Sequence, residues 1–118
     1  MQNNGGVAFF AEQDEGVLAS ISLELASKAR ELADRLKTDV IAYLIGGAEI
    51  ETVAAQLIAY GTDRVVVVED SRLPHYDTLP YSKVLSKLIR QTTPQCVLYG
   101  ATPIGRDLAP RIASELRT

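Results

Sequence analysis

The densest set of residues able to do chemistry lies in Gly100-Ala101-Thr102-Pro103-Ile104-Gly105-Arg106-Asp107. Two glycines, a hydroxyl and a guanidinium fall where a helix would begin. Backbone N–H groups at a helix start attract anions, and an arginine adds a bidentate contact to a phosphate or carboxylate. Gly100, Thr102, Gly105 and Arg106 are therefore the candidate cofactor- or anion-binding residues. The same residues also suit an ordinary strand-to-helix turn, with Arg106 and Asp107 in ion pairs to neighbouring elements. Sequence alone leaves both open. A dinucleotide G-x-G-x-x-G does not follow the first apolar run, and no P-loop ending in G-K-[ST] occurs.

Other reactive residues are isolated. His75, in Leu73-Pro74-His75-Tyr76, has no serine or cysteine at a telling spacing and reads as a surface-loop histidine. Cys96 is the only cysteine, so it forms no internal disulfide, and it reads as a small core residue. Glu69-Asp70 suits a solvated turn better than acid/base work. Tyr43, Tyr60, Tyr76, Tyr81 and Tyr99 are too dispersed for a base-stacking platform. No nucleophile, base and orienting group come together, and no Cys/His cluster has metal spacing. The expectation is no catalytic residue and no metal ligand.

The elements that must position these residues are readable from periodicity. Four short apolar runs, Val7 to Ala11, Val40 to Ile45, Val65 to Val68 and Cys96 to Tyr99, do not alternate with polar residues. Such runs belong to strands covered on both faces of a parallel sheet. Between them lie helical stripes. The first is Leu25, Ala29, Leu32, Ala33 and Leu36. The second is Ile50, Val53, Ala54, Leu57 and Ile58, stopping at Gly61. The third is Tyr81, Val84, Leu85, Leu88 and Ile89, with Asp77 or Thr78 as cap and Pro80 in the first turn. A fourth stripe is Leu108, Ile112, Ala113 and Leu116. Pro110 suits a helix start, so this helix is expected to begin near Arg106 or Asp107, whereas a start at Thr102-Pro103 would require a kink at Pro110.

Strands alternating with helices predict an α/β domain with a doubly wound parallel sheet, spatial order 3-2-1-4, in a Rossmann-like, adenine-nucleotide-hydrolase-like three-layer fold. The switch point then falls between the first and fourth runs. It is framed by Glu12-Gln13-Asp14-Glu15-Gly16 and by Gly100 to Asp107. The fourth run would be a bare apolar edge, a pairing hazard. The expectation is a truncated domain, residues 1–118, with a final strand missing and some tendency to self-associate.

Composition fits a packed globule: 47% of the 118 residues are hydrophobic. The net charge of −3, without a single-sign run, gives no reason to expect nucleic acid or an anionic membrane as partner. No apolar stretch approaches the ~18 residues of a membrane span, and Met1 to Gly6 lack the pattern of a secretory signal, so a cytoplasmic location is expected.

The stretch from Tyr99 to Arg111 resembles the G-A-T-x-x-G-R-D-L-A-P-R segment of electron transfer flavoprotein alpha subunits. Phe10-Ala11-Glu12, Ser22-Leu23-Glu24-Leu25, Arg30-Glu31-Leu32-Ala33 and Ala59-Tyr60-Gly61-Thr62-Asp63-Arg64-Val65 are similar to further pieces of that family. Tyr76 and Tyr81-Ser82-Lys83 look like its clostridial and nitrogen-fixation branches. The resemblance runs from Val7 to Thr118. It implies the amino-terminal domain of an alpha subunit that packs on a beta subunit and carries no catalytic site of its own. FAD would be held by a carboxyl-terminal domain outside this chain, with none bound here. The intact pair would carry electrons between dehydrogenases, or NADH, and a quinone or ferredoxin partner. Arg106, Asp107 and Arg111 would fix the fourth helix against a neighbouring domain or subunit. A rival reading, from architecture alone, is a free-standing ATP- or AMP-binding module of the universal-stress-protein type.

Overall fold

The computed structural model describes residues 5–48 and 50–117. In chain order the elements are β1 (Val7–Ala11), β2 (Gln13–Asp14), β3 (Val17–Leu18), α1 (Ser20–Leu36), β4 (Val40–Gly46), α2 (Ile50–Ala59), β5 (Arg64–Glu69), α3 (Thr78–Thr92), β6 (Cys96–Leu98) and α4 (Pro103–Leu116). The main sheet has the order β5-β4-β1-β6, and every pairing in it is parallel. This is the 3-2-1-4 order expected from the apolar runs. Among the described residues, no helix is long and apolar enough to cross a membrane.

Successive side chains of a strand point to opposite faces, which explains the unbroken apolar runs. Val7, Phe9 and Ala11 pack with Val40, Ala42 and Leu44 under α1 and α2. Ala8 and Phe10 pack with Ile41, Tyr43 and Ile45 under α3 and α4. Large residues sit beside small ones across the ladder, with Phe9 opposite Ala42 and Ala8 opposite Ile41. All of β1 and all of β4 are buried. The outer strands differ from expectation. β6 is only half-buried, and β5 exposes Arg64, Val67 and Glu69, because each has a sheet neighbour on one side only.

Four sequence expectations need correction. First, α4 begins at Pro103, not near Arg106 or Asp107. Thr102 is its N-cap and accepts a bond from the Gly105 N–H at 3.0 Å, and Pro103 occupies a first-turn position that needs no donor. Pro110 therefore lies inside the helix and leaves the Arg106 carbonyl without its helical donor. Both residues are exposed, so water can reach that carbonyl. Second, β2 and β3 form an antiparallel hairpin that the periodicity does not announce. Its two-residue turn uses Glu15 at φ 50° and Gly16 at φ 80°, the signs of a type I′ turn. Third, Ile58 is 56% exposed. The buried stripe of α2 is the narrow Ile50, Val53, Leu57 line, and Ile58 stands about 100° round the helix from Leu57. Fourth, Leu36 is exposed in the last turn of α1, where the chain swings away through Lys37 at φ 58°.

Truncating a fully buried central-strand residue should cost far more than truncating an exposed helical one. Phe9→Ala is expected to lower stability by about 3–5 kcal/mol and Ile58→Ala by no more than about 0.5 kcal/mol. Urea denaturation measures both, and equal midpoints for the two variants would contradict this packing.

Candidate functional site

The switch point lies beyond the carboxyl ends of β1 and β6, where their following chains part to opposite faces. Glu12 comes directly after β1 and is 6% exposed. Its backbone N–H donates to the Ser22 hydroxyl oxygen at 2.7 Å, and that hydroxyl donates to the Glu12 carbonyl at 2.8 Å. The same carbonyl accepts from the Ala19 N–H at 2.9 Å. Glu12 is thereby clamped to the first turn of α1. From the other side, the Thr102 hydroxyl donates to Glu12 Oε2 at 2.6 Å while it accepts from Gly105. One hydroxyl caps α4 and holds the carboxylate.

The two glycines of this loop serve close packing. A Cβ on Gly105 would collide with the Gly100 carbonyl, and one on Gly100 would come within 2.9 Å of Glu12 Oε2 and 2.8 Å of Ile21. Gln13, also buried, finishes the wall. Its amide donates to the Ile45 carbonyl at 2.9 Å, and its oxygen accepts from the Gly16 N–H at 2.9 Å. The cleft above, of about 480 Å³, is bordered by Glu12, Asp14, Glu15, Val17, Leu18 and Ile104. Three carboxylates border it. A phosphate group there would meet like charge, and one α4 donor is already taken by Thr102. Arg106 is exposed, and among the described residues its hydrogen bond is a long 3.5 Å contact to the Ala101 carbonyl.

A second cluster ties the start of α4 to the chain entering α3. Asp107 Oδ2 accepts from the Tyr76 hydroxyl at 2.7 Å and from the Thr78 hydroxyl at 2.8 Å, and Oδ1 faces Arg111 Nε at 3.4 Å. The Tyr76 bond, followed by that of Thr78, holds the Asp107 carboxyl below the usual range. Burial, reinforced by the bond to Asp107, pushes the Tyr76 phenol up to about 12. Tyr76 packs edge-on against Tyr81 at 5.2 Å, and Tyr81 donates to the Leu73 carbonyl at 2.7 Å. Arg106 and Asp107 thus lie at the end of the first turn and the start of the second turn of α4, and Arg111 one turn further on, with Asp107 turned inward to this chain's own loop.

His75 stands on that loop, exposed, with Nδ1 2.6 Å from Asp14 Oδ1 of the β2–β3 hairpin. The bond to Asp14 raises its pKa. Periodicity and motif spacing do not reveal these tertiary pairs, nor the role of Ser22. The one signal for Glu12 is a carboxylate immediately after a wholly apolar strand.

These contacts define an open, doubly wound α/β domain whose point of reversal is tied together by its own side chains. The chain belongs to the electron transfer flavoprotein family, whose domain model matches residues 7–118. It is 44% identical over 118 residues to the electron transfer flavoprotein subunit alpha of Thermoanaerobacterium thermosaccharolyticum, covering 100% of this chain and 36% of that protein. The subunit alpha of Megasphaera elsdenii is 44% identical over 113 residues, 96% of this chain and 33% of that protein. The lactate dehydrogenase (NAD(+),ferredoxin) subunit LctC of Acetobacterium woodii is 39% identical over 113 residues, 96% of this chain and 27% of that protein. The chain spans about a third of the length of the alpha subunits it matches. Members of the family act in electron transfer.

Thr102→Ala removes both the cap and the tie to Glu12, and it should destabilise the chain by about 2–4 kcal/mol in urea. Thr102→Ser keeps the hydroxyl and should cost less than about 1 kcal/mol. Equal losses would deny the hydroxyl its double role. The single histidine gives one imidazole signal for NMR titration. Its midpoint should lie above the ordinary value of about 6.5. The Asp14 bond's contribution is then complete below the unfolded pKa and is lost as pH rises through the folded one. In Asp14→Asn the midpoint should fall back toward about 6.5, and an unmoved midpoint would show that the pair does not form in solution.

Proposed function

We propose that this chain is the amino-terminal α/β domain, residues 1–118, of an electron transfer flavoprotein alpha subunit, and that its task is structural. It supplies a rigid base that docks the beta subunit, in a cytoplasmic protein that carries electrons and has no catalytic site in this domain. FAD belongs to the remainder of the alpha subunit. The intact pair moves electrons from dehydrogenases or NADH to a quinone or ferredoxin partner.

The observation that carries this reading is the carboxylate-lined switch point. Ligands of open parallel sheets lie beyond the strand ends, and here Glu12, Asp14 and Glu15 border that position. Asp14 is paired with His75 at 2.6 Å, and the charge of Glu12 and Glu15 opposes the pyrophosphate of FAD and the phosphates of AMP or ATP alike, so these residues do not fit such a group. Gly100, Thr102 and Gly105 then act in packing and capping. Arg106 and Arg111, exposed on α4, are left to meet a neighbouring domain or subunit. The covered part of the relatives, about a third of their length, leaves room for a separate flavin domain.

Isothermal titration of this chain with FAD, AMP and ATP tests the reading. No binding is expected at micromolar concentrations. A stoichiometric flavin absorbance band would overturn the assignment of FAD to another domain, and saturable ATP or AMP binding would favour a nucleotide module.

A further inference from the structure

In the main sheet β5 has β4 as its one neighbour, so its other side is a free edge. The Asp70 N–H donates to the Gly46 carbonyl at 2.9 Å, across to β4. The Ile45 carbonyl, one residue earlier, turns the other way and accepts from Gln13. Backbone groups alternate sides along a strand. Val66 and Val68 therefore aim theirs at β4, and Val65, Val67 and Glu69 aim theirs outward. Such a row of outward N–H and C=O groups is a template for another strand. No lysine or proline interrupts Val65-Val66-Val67-Val68, and the register with β4 is unbroken. Val67, in the middle of the row, is 38% exposed.

The order of side chains along this edge selects the occupant. Residues directly opposite in an antiparallel pair turn their backbone groups either both toward each other or both away. A second copy related by a two-fold axis must then pair with the axis through a residue, not between two. Centred on Val67, the pairing sets Val67 against Val67, Val66 against Val68 and Arg64 against Asp70 of the other copy. Val66 and Val68 pack on the face under α3, and Asp70 borders the start of that helix. Arg64 shares their face by alternation. Among the described residues Arg64 has no ion pair in its own chain. The Asp70 carboxylate accepts from the Arg72 backbone and guanidinium, and a carboxylate has room for about four donors, so one position is left. Opposite charges directly across a strand pair attract. Centring on Val66 instead would set Asp63 against Glu69, which repel.

We propose that β5 pairs with β5 of a second copy of this chain, antiparallel and centred on Val67, so that the two sheets become one. Val65, Val67 and Glu69 of both copies contribute about six N–H···O bonds, and an Arg64–Asp70 pair closes each end. The contact is narrow, so the dimer is a weak one that forms at high protein concentration. It lies at the opposite edge of the sheet from β6 and does not depend on the docking reading above.

Sedimentation equilibrium of this chain, up to about 1 mM, tests the pairing, and a monomer–dimer equilibrium is expected. Val67→Lys sets two ammonium groups at the axis and should weaken the dimer about tenfold or more. Arg64→Asp and Asp70→Arg each place like charges across both ends, and each alone should weaken it about threefold or more. An equimolar mixture of these two variants restores opposite charge at both ends and should recover the dimer. Hydrogen exchange of the unmodified chain gives a readout free of substitutions: the Val65, Val67 and Glu69 amides should slow as concentration rises. A chain that stays monomeric, a dimer that persists unchanged in Val67→Lys, or a mixture no tighter than either charge variant alone would each overturn the pairing.

Discussion

The hydroxyl of Thr102 joins the two directions of winding at the place where they diverge. It reaches 90 positions back along the chain to Glu12 and at the same time closes the first turn of α4. Glu12 in turn is gripped by Ser22 and Ala19 at the start of α1. The two helices lie on opposite faces of the sheet, so this chain of bonds is a strap across its top. A buried carboxylate is costly unless its oxygens find donors, and here the donor is itself held by a helix cap. The close approach of Gly105 to Gly100 is the steric condition for the strap to fit.

The same carboxylate accounts for the character of the switch point. In open α/β sheets this crevice commonly receives an anionic ligand on a helix N-terminus. In this chain a negative group of the protein's own stands there, linked to the helix through the capping hydroxyl. The bonds at this place hold the domain's two halves together. Asp107 repeats the arrangement at the next turn of α4, drawing in Tyr76 and Thr78 from the far loop. Asp107 lies in the stretch from Tyr99 to Arg111 that resembles the flavoprotein family, and Glu12 in the shorter similar piece Phe10-Ala11-Glu12.

The sheet was legible in the residues because each central strand is apolar on both sides. Val7 to Ala11 and Val40 to Ile45 are the buried interior, and their unbroken character can mean little else once helices separate them. The start of α4 is obscured in the sequence because Pro110 points to a later start than the one Thr102 and Pro103 set. A proline is tolerated within a helix when the carbonyl it strands faces water, which depends on exposure and not on local order. The hairpin is not legible in the sequence because two-residue strands are too short to show a period, leaving only Glu15-Gly16 as a turn signal. Glu12 with Thr102 and Asp14 with His75 escaped for another reason: such pairs are created by the crossovers and have no signature within a local window.

Thr93 ends α3 in the left-handed region at φ 45°, an unfavourable setting for a β-branched residue. The turn it makes sends its carbonyl to the Gly5 N–H at 2.8 Å, and the Gln95 N–H then reaches the Gly6 carbonyl at 2.9 Å. The beginning of β1 is thus stitched to the segment leading into β6, at the sheet rim remote from Glu12 and Thr102. A fluorophore, affinity handle or surface linker joined ahead of Gly5 would therefore leave by the rear of the molecule. Its opposite rim would stay clear for whatever approaches it in solution.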